Sequence, residues 1–453
     1  MQFKYSAIAA SMIAALTLAG CGSDSSDPST PVEPSAKQVK VIDGYLSQAQ
    51  VCVDRNSNSS CDSDEIVGLT DSHGTITIKA EDAKYAVIAQ AIAGQTTDSD
   101  KAGKLGNSYE LIAHAQSEVV TPFTTIAKLQ NKTVEALATE LNLDSAVVSG
   151  DYVAAKAHDG SADAAKKAHL MARSLTNELA PSLADNDSEA LSESADDIAK
   201  VIEDSINNGD ELDDFVIEIN DDGTVESKPI IASLNGYLEG QTLSFVSMNK
   251  YYAQDEGIFK ITLQDGTLTV VDDTDASMTE AYIIEGNSLV HVEGGEESIE
   301  EFIYVSEQTS LAVTPQNDLN FWTRVDITGE EFKFPAITEA MIADQTWHFL
   351  SDDSTNHKPY PMLAAMAFSK DKNVVISEEG EEDFTIGWRI ENNELILDFP
   401  EGDNDMYIKL VTKDSNILTI VDGGEEQNKN HFSLLVKDKA LAESIVEKWG
   451  EEI

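Results

Sequence analysis

Basic side chains are scarce. Thirty lysines and arginines stand against 82 aspartates and glutamates in 453 residues, a formal net charge of −52. Nucleic-acid binding needs cations that neutralise phosphates, so this balance excludes it, and it excludes adhesion of the body to anionic headgroups for the same reason. Cysteine is nearly absent, with three residues and no C-x-x-C pair, which leaves no dithiol redox motif. Catalytic signatures are missing too. There is no G-x-S-x-G, H-E-x-x-H, P-loop or dinucleotide fingerprint. Eight histidines and three cysteines leave few nucleophile–base combinations, and 82 carboxylates guarantee chance pairs, so no glycosidase dyad is assignable. The chain reads as a non-enzyme, with a hydrolase of unidentified type as the third choice.

Long apolar runs are confined to the first residues. Lys4 precedes an apolar stretch from Ala7 to Leu18, too short to span a bilayer, followed by Leu18-Ala19-Gly20-Cys21. This is the layout of a bacterial lipoprotein signal peptide over residues 1–20, with Cys21 as the thiol that receives diacylglycerol. Acyl chains contribute about 0.8 kcal/mol per buried CH₂, so several chains hold a protein firmly. Gly22 rather than Asp follows Cys21, which resembles sorting to the outer membrane. Residues 21–37 are rich in Ser, Asp and Pro, bury no core and read as a flexible tether. Whether the body faces the cell surface or the periplasm stays open.

Residues 38–118 read as a β-sandwich. Val39/Val41, Val51/Val53 and Ile76/Ile78 alternate, and turns fall at Asp43-Gly44 and His73-Gly74. With Cys21 committed to lipid, Cys52 and Cys61 are left to form a disulfide in an oxidising, exported setting. Between them runs an acidic loop. Counting Asp54 as position one, Asn56, Asn58, Asp62 and Glu65 fall at three, five, nine and twelve, and Ser60 offers its carbonyl at seven. That spacing suits Ca²⁺, which takes six to eight oxygens. Position six is Ser59, where an EF-hand has Gly, and the flanks are strands. The alternative is a solvated turn braced by the disulfide. Together with Val41–Asp54, Gly68–Gly74 and Thr75–Ile78, the loop resembles the prealbumin-type modules of bacterial surface proteins, the SdrD B-like and carboxypeptidase-regulatory-like domains. That resemblance implies a spacer stiffened by calcium, without catalysis.

Residues 119–213 read as a bundle of three to five helices. Thr121 caps a helix opening at Pro122. Val134, Leu137, Ala138 and Leu141 recur at helical spacing, as do Ile198, Val201, Ile202 and Ile206. His158 and His169, with Asp151 and Asp163 nearby, lack an i, i+4 pairing and read as structural. The strand module, then Val-Val-Thr-Pro-Phe-Thr-Thr from Val119, then helices, resembles the layout of marine gammaproteobacterial lipoproteins. Residues 214–234 read as a linker or hairpin.

The C-terminal half repeats itself. Gln241–Phe245 matches Gln345–Phe349, Tyr282–Leu289 matches Trp388–Leu395, and Phe302–Val305 matches Tyr407–Leu410. A period near 105 is too long for a solenoid and implies duplication of a β-domain, residues 235–333 and 338–453, the second ending in a helix from Lys439 to Trp449. Each unit is similar in outline to lipocalin-like antiparallel barrels, although the G-x-W signature is absent and Asp344 stands where Gly belongs. Two barrels, or one barrel of two halves, both fit. Tyr251, Tyr252, Trp322, Trp347 and Trp388 read as strand core, with a pocket lining as the alternative, and His348 as an outward strand residue.

The expectation is therefore a multidomain, mainly β protein with a central α-helical segment: a prealbumin-like sandwich, a helical bundle and two tandem barrel-like units. Its expected role is binding, adhesion or structure at the envelope, toward a protein, glycan or small-molecule ligand. The alternative is a carrier of small molecules or lipids.

Overall fold

The computed structural model describes residues 35–220, 223–250, 257–272, 274, 276–293, 296–328, 331–354, 356, 358–400, 404–424 and 431–450. The leader, the lipobox with Cys21, most of the tether, and Tyr251 and Tyr252 lie outside them. No helix among the described residues is long and apolar enough to cross a membrane.

The first module has nine short strands: β1 (Lys37–Val41), β2 (Leu46–Ser47), β3 (Gln50–Asp54), β4 (Ile66–Leu69), β5 (Thr75–Ile78), β6 (Ala86–Ala91), β7 (Thr97–Asp98), β8 (Tyr109–Ala113) and β9 (Val119–Val120). They form sheets ordered β5-β1-β9 and β4-β3-β6-β8, with β2 paired to β7. Alternation carries Val39 and Val41 from one sheet, and Val51, Val53, Val87 and Leu111 from the other, into one core. That core does not stop at the sandwich. It continues into Phe123, Ile126, Ala168, Met171, Ala172, Ile198 and Ile202 of the helices.

Six α-helices follow: α1 (Pro122–Leu129), α2 (Val134–Glu140), α3 (Ser145–Val148), α4 (Tyr152–Ala155), α5 (Ala162–Leu175) and α6 (Ser188–Asn208). The count exceeds the three to five expected because α3 and α4 have four residues each, too few for a 3.6-residue period to register. Their signals are the caps instead, Asp144 and Asp151, each accepting from backbone N–H groups of the first turn. Thr121 and Thr124 form a reciprocal capping box at α1. A hairpin, β10 (Phe215–Ile219) with β11 (Val225–Pro229), leads on.

Two closed eight-stranded antiparallel barrels complete the fold. A short helix, α7 (Leu234–Leu238), precedes barrel 1. Its strands are β12 (Gln241–Ser247), β13 (Phe259–Gln264), β14 (Thr267–Val271), β15 (Ser277–Glu285), β16 (Ser288–Glu293), β17 (Glu296–Val305), β18 (Ser310–Val313) and β19 (Leu319–Thr323). Helix α8 (Glu339–Ile342) precedes barrel 2. Its strands are β20 (Thr346–Asp352), β21 (Pro361–Phe368), β22 (Asn373–Glu378), β23 (Phe384–Glu391), β24 (Glu394–Asp398), β25 (Met406–Lys413), β26 (Ile417–Gly423) and β27 (Phe432–Val436), and α9 (Lys439–Trp449) follows. Each leading helix drives apolar side chains into its own barrel's core, Leu234, Tyr237 and Leu238 in the first and Ile342 in the second. The turn into each first strand is left-handed, with Gly240 at φ 71 and Asp344 at φ 57. Aspartate tolerates that region better than most residues, so the repeat survives the loss of the glycine.

Strand pairing sharpens the duplication. Among the described residues each barrel has one β-bulge, between its sixth and seventh strands, at Phe302/Tyr304 and at Leu410/Thr412. Superposing the bulges equates Phe302 with Leu410, not with Tyr407. The third match in the sequence therefore slips by three residues. An odd slip moves every side chain to the other face of a strand, and the buried, inward Phe302 cannot correspond to the outward Tyr407.

The barrels meet through equivalent faces. One apolar cluster contains Val246, Ile303, Val313, Leu319 and Phe321 of barrel 1 and their counterparts Leu350, Val411, Val421, Phe432 and Leu434 of barrel 2. The Phe321 and Phe432 rings lie 6.3 Å apart. The Thr309 and Thr412 hydroxyls are 2.9 Å apart, and Ser306 donates to Asp414 at 2.7 Å. Helix α9 adds Leu441, Ala442, Ile445 and Trp449 to the same cluster. His348 does point outward from its barrel, yet it is buried, 3.2 Å from the Val436 carbonyl oxygen through Nδ1. The sandwich joins in through residues 93–108. Ser108 N donates to Asp438, Lys104 N to the Ile303 carbonyl, and Ser444 Oγ to the Gly94 carbonyl. A side chain at Gly94, which has φ 72, would collide with Ser444.

Candidate functional site

The acidic loop is closed at its base by the disulfide. Cys52 and Cys61 are disulfide-bonded, with Cα atoms 5.6 Å apart. Asp54 accepts the Asn58 and Ser59 N–H groups at 3.0 and 3.1 Å, one with each oxygen. Asn56 and Asn58 each accept the N–H two residues on, and both donate their amides to Asp62, at 2.7 and 3.0 Å. Glu65 folds back so that Oε1 accepts the N–H groups of Arg55 and Asn56. Ser59 takes the left-handed conformation that a glycine adopts at this position in an EF-hand, φ 57, and Ser57 does likewise at φ 60. Glu65 is 2% exposed, and its Oε2 has no hydrogen-bond partner. A buried orphan carboxylate oxygen is costly in isolation and suits a cation ligand. Ser60 is exposed and its N–H is spent on Asn58. Among the described residues no three His, Cys, Asp or Glu side chains stand together as a ready-made metal cage.

A second cluster joins the sandwich to the bundle, with little sign of it in the residue pattern. Asp43, from the turn after β1, is fully buried and accepts from Thr176 Oγ1 at 3.0 Å and Tyr109 OH at 3.3 Å. Asp98 is 3% exposed at the end of β7. Asp100 lies 2.6 Å from His169 Nε2 and 3.7 Å from Arg173 Nη1, both buried on α5. Arg173 also donates to the Leu212 carbonyl. Burial, with Asp43 and Asp100 close by, pushes the Asp98 carboxyl up to about 7. Burial raises Asp43 as well. Burial pushes Asp100 the same way, but His169 and Arg173 outweigh it and hold its carboxyl below its ordinary value. Of the histidines and aspartates noted in the helical segment, only His169 belongs here. His158 and Asp163 are exposed, and Asp151 caps α4 and pairs with Lys40 at 2.6 Å. The signal for the cluster was the Asp98-x-Asp100 pair after a strand, unremarkable among so many acidic residues.

Trp322, Trp347 and Trp388 all face barrel interiors and are 1–5% exposed. Trp347 and Trp388 donate to the Met341 and Ser369 carbonyls. They are strand core. A cleft of about 920 Å³ lies outside both barrels, where Gly94 and Lys104 of the sandwich meet Glu301, Glu447 and Lys448. Its charges are mixed, and Lys448 is 3.7 Å from Glu301. No known family model matches the chain, and no curated protein matches it.

Proposed function

We propose that the chain is a lipid-anchored, non-enzymatic protein of the bacterial outer membrane, held by diacylated Cys21, whose body carries paired β-barrels for binding. The observation that carries the reading is the continuity of packing. Sandwich and helices share one core, and the barrels share a second with α9 and a sandwich residue, Ala93. A stiff body suits presentation from an anchor. The carrier alternative draws less support, because an eight-stranded barrel has room either for its own side chains or for one small ligand, and barrel 2 is filled by Trp347, Trp388, Leu395, Leu410, Ile420 and Leu435. In cell fractionation, Cys21→Ser should move the protein from the membrane pellet to the soluble fraction. Persistent pelleting of the variant would overturn the anchor. Protease shaving of intact cells then assigns the face.

Calcium at Asp54–Glu65 belongs to the same reading, supported by the orphan Glu65 oxygen. Saturation at about a hundred times Kd adds about 2.7 kcal/mol to stability. Calcium should therefore raise the melting temperature relative to chelator, and Asp54→Ala should abolish the difference. Equal melting with calcium and with chelator would leave the loop as a disulfide-braced turn.

A further inference from the structure

Lys104 sits on the sandwich segment that docks against barrel 1, and its backbone is pinned there. Gly103 N donates to Asn287 Oδ1 at 3.1 Å, Lys104 N to the Ile303 carbonyl at 3.3 Å, and Leu105 N to the Thr96 carbonyl at 2.9 Å. A Cβ at Gly103, which has φ 78, would lie 3.3 Å from Val305 N, and one at Gly106 would lie 2.6 Å from the Tyr304 ring. So close an approach holds the half-buried Lys104 at the wall of the cleft outside the barrels, a space of about 920 Å³.

In a chain with 82 acidic residues, no carboxylate among the described residues is close enough to pair with the Lys104 ammonium. Its near neighbour is a second ammonium, that of Lys448, which lies 3.7 Å from Glu301. Burial lowers the Lys104 pKa from the ordinary lysine value, and Lys448 lowers it further, against the pull of Glu301 and Glu447. An amine that is desolvated and set beside another cation keeps its lone pair free for attack. Two lysines and three glutamates line the cleft, so neither an anion nor a cation gains by entering. Ile92, Ala93, Ile299, Val313 and Pro315 supply an apolar wall.

We propose that Lys104 captures neutral aliphatic aldehydes in this cleft as a reversible imine. The Nζ lone pair attacks the carbonyl carbon, and the electrons of the broken π bond go to oxygen. A proton passes from nitrogen to that oxygen, giving a carbinolamine. The nitrogen lone pair then expels the hydroxyl, protonated as it leaves, as water, and the C=N bond remains. No oxidant or reductant is consumed, and hydrolysis reverses the step. Glu301 and Glu447 line the same cleft and supply carboxylates for the proton transfers. The apolar wall receives the alkyl chain. Capture of this kind goes beyond noncovalent binding by the barrels, involves no turnover and does not depend on the anchor.

The test is reductive alkylation of the detergent-solubilised full chain with hexanal and sodium cyanoborohydride at about pH 7, where ordinary lysines are protonated. Peptide mass spectrometry then follows each lysine separately. Lys104 should be modified at least about fivefold faster than the median lysine. The lead should shrink at about pH 10.4, where lysines in general lose their charge. It should vanish in guanidinium, which dismantles the cleft. Acetaldehyde should show a smaller lead than hexanal, because it buries less apolar surface. Lys448→Ala should slow modification of Lys104 by about twofold or more, since it removes the neighbouring cation and leaves Glu301 uncompensated. Modification of Lys104 at the rate of the other lysines, a lead that survives denaturant, equal leads for the two aldehydes, or an unslowed Lys104 in the folded variant would overturn the assignment. The comparison among lysines of one chain needs no variant and stands even where the substitution impairs folding.

Discussion

Asp98→Asn should stabilise the protein at about pH 8 and leave its stability at about pH 4 unchanged. Asp98 is buried between the sandwich and α5, and its carboxyl is raised from 3.8 to about 7. Between those values the folded state holds a proton that the unfolded state has released. Stability from this group is therefore full below about pH 4, falls as pH rises through the window, and is flat above about pH 7. About three units at ~1.4 kcal/mol per unit set a ceiling of about 4 kcal/mol. Asparagine keeps the acceptor for the Asp100 N–H, 2.9 Å away, and removes the buried charge. Asp100 behaves oppositely. Its lowered carboxyl contributes stability above its ordinary value that is lost on acidification below it. Denaturant titration of parent and variant at three pH values separates the two. An equal gain at every pH would mean that packing, not ionisation, controls the site.

Trp388→Ala should lower stability by about 3–5 kcal/mol, the cost of emptying a large buried aromatic site. Trp388 is 1% exposed in barrel 2, donates to the Ser369 carbonyl at 3.2 Å, and meets the edge of Phe368 at 5.8 Å. Lys372 covers its face at 3.9 Å. Because barrel 2 shares its outer core with barrel 1, the loss should lower one common transition for both barrels, followed by circular dichroism and by Trp322 fluorescence in a background with Trp347 and Trp449 replaced by Phe. A barrel 1 signal that melts unchanged would show that the shared core does not couple them.

Much of the fold was legible because β-periodicity and caps are local signals. Val51/Val53 alternation, Thr121-Pro122 and the Tyr282/Trp388 match each found its place. Phe302 did not, because a bulge and unequal loops break a constant offset. The disulfide at the base of the acidic loop was legible from the cysteine count. The Asp43–Asp98–Asp100–His169 cluster was not. It is assembled by docking of a helix on the sandwich and leaves no short motif. Tertiary cover also decided His348, whose outward direction follows from alternation and whose burial follows from neighbours that alternation cannot see.

The two bulges have a further meaning. Ile303 and Val411 both sit at a bulge and both enter the shared core, so each copy meets the other with the same irregular strand. Such self-complementary contact is what a symmetric pair of identical chains makes. A partnership of that kind, sealed into one polypeptide, constrains substitutions on the facing strands from both sides at once. The interiors are under no such mutual restraint. Each is packed by its own strands and its own leading helix.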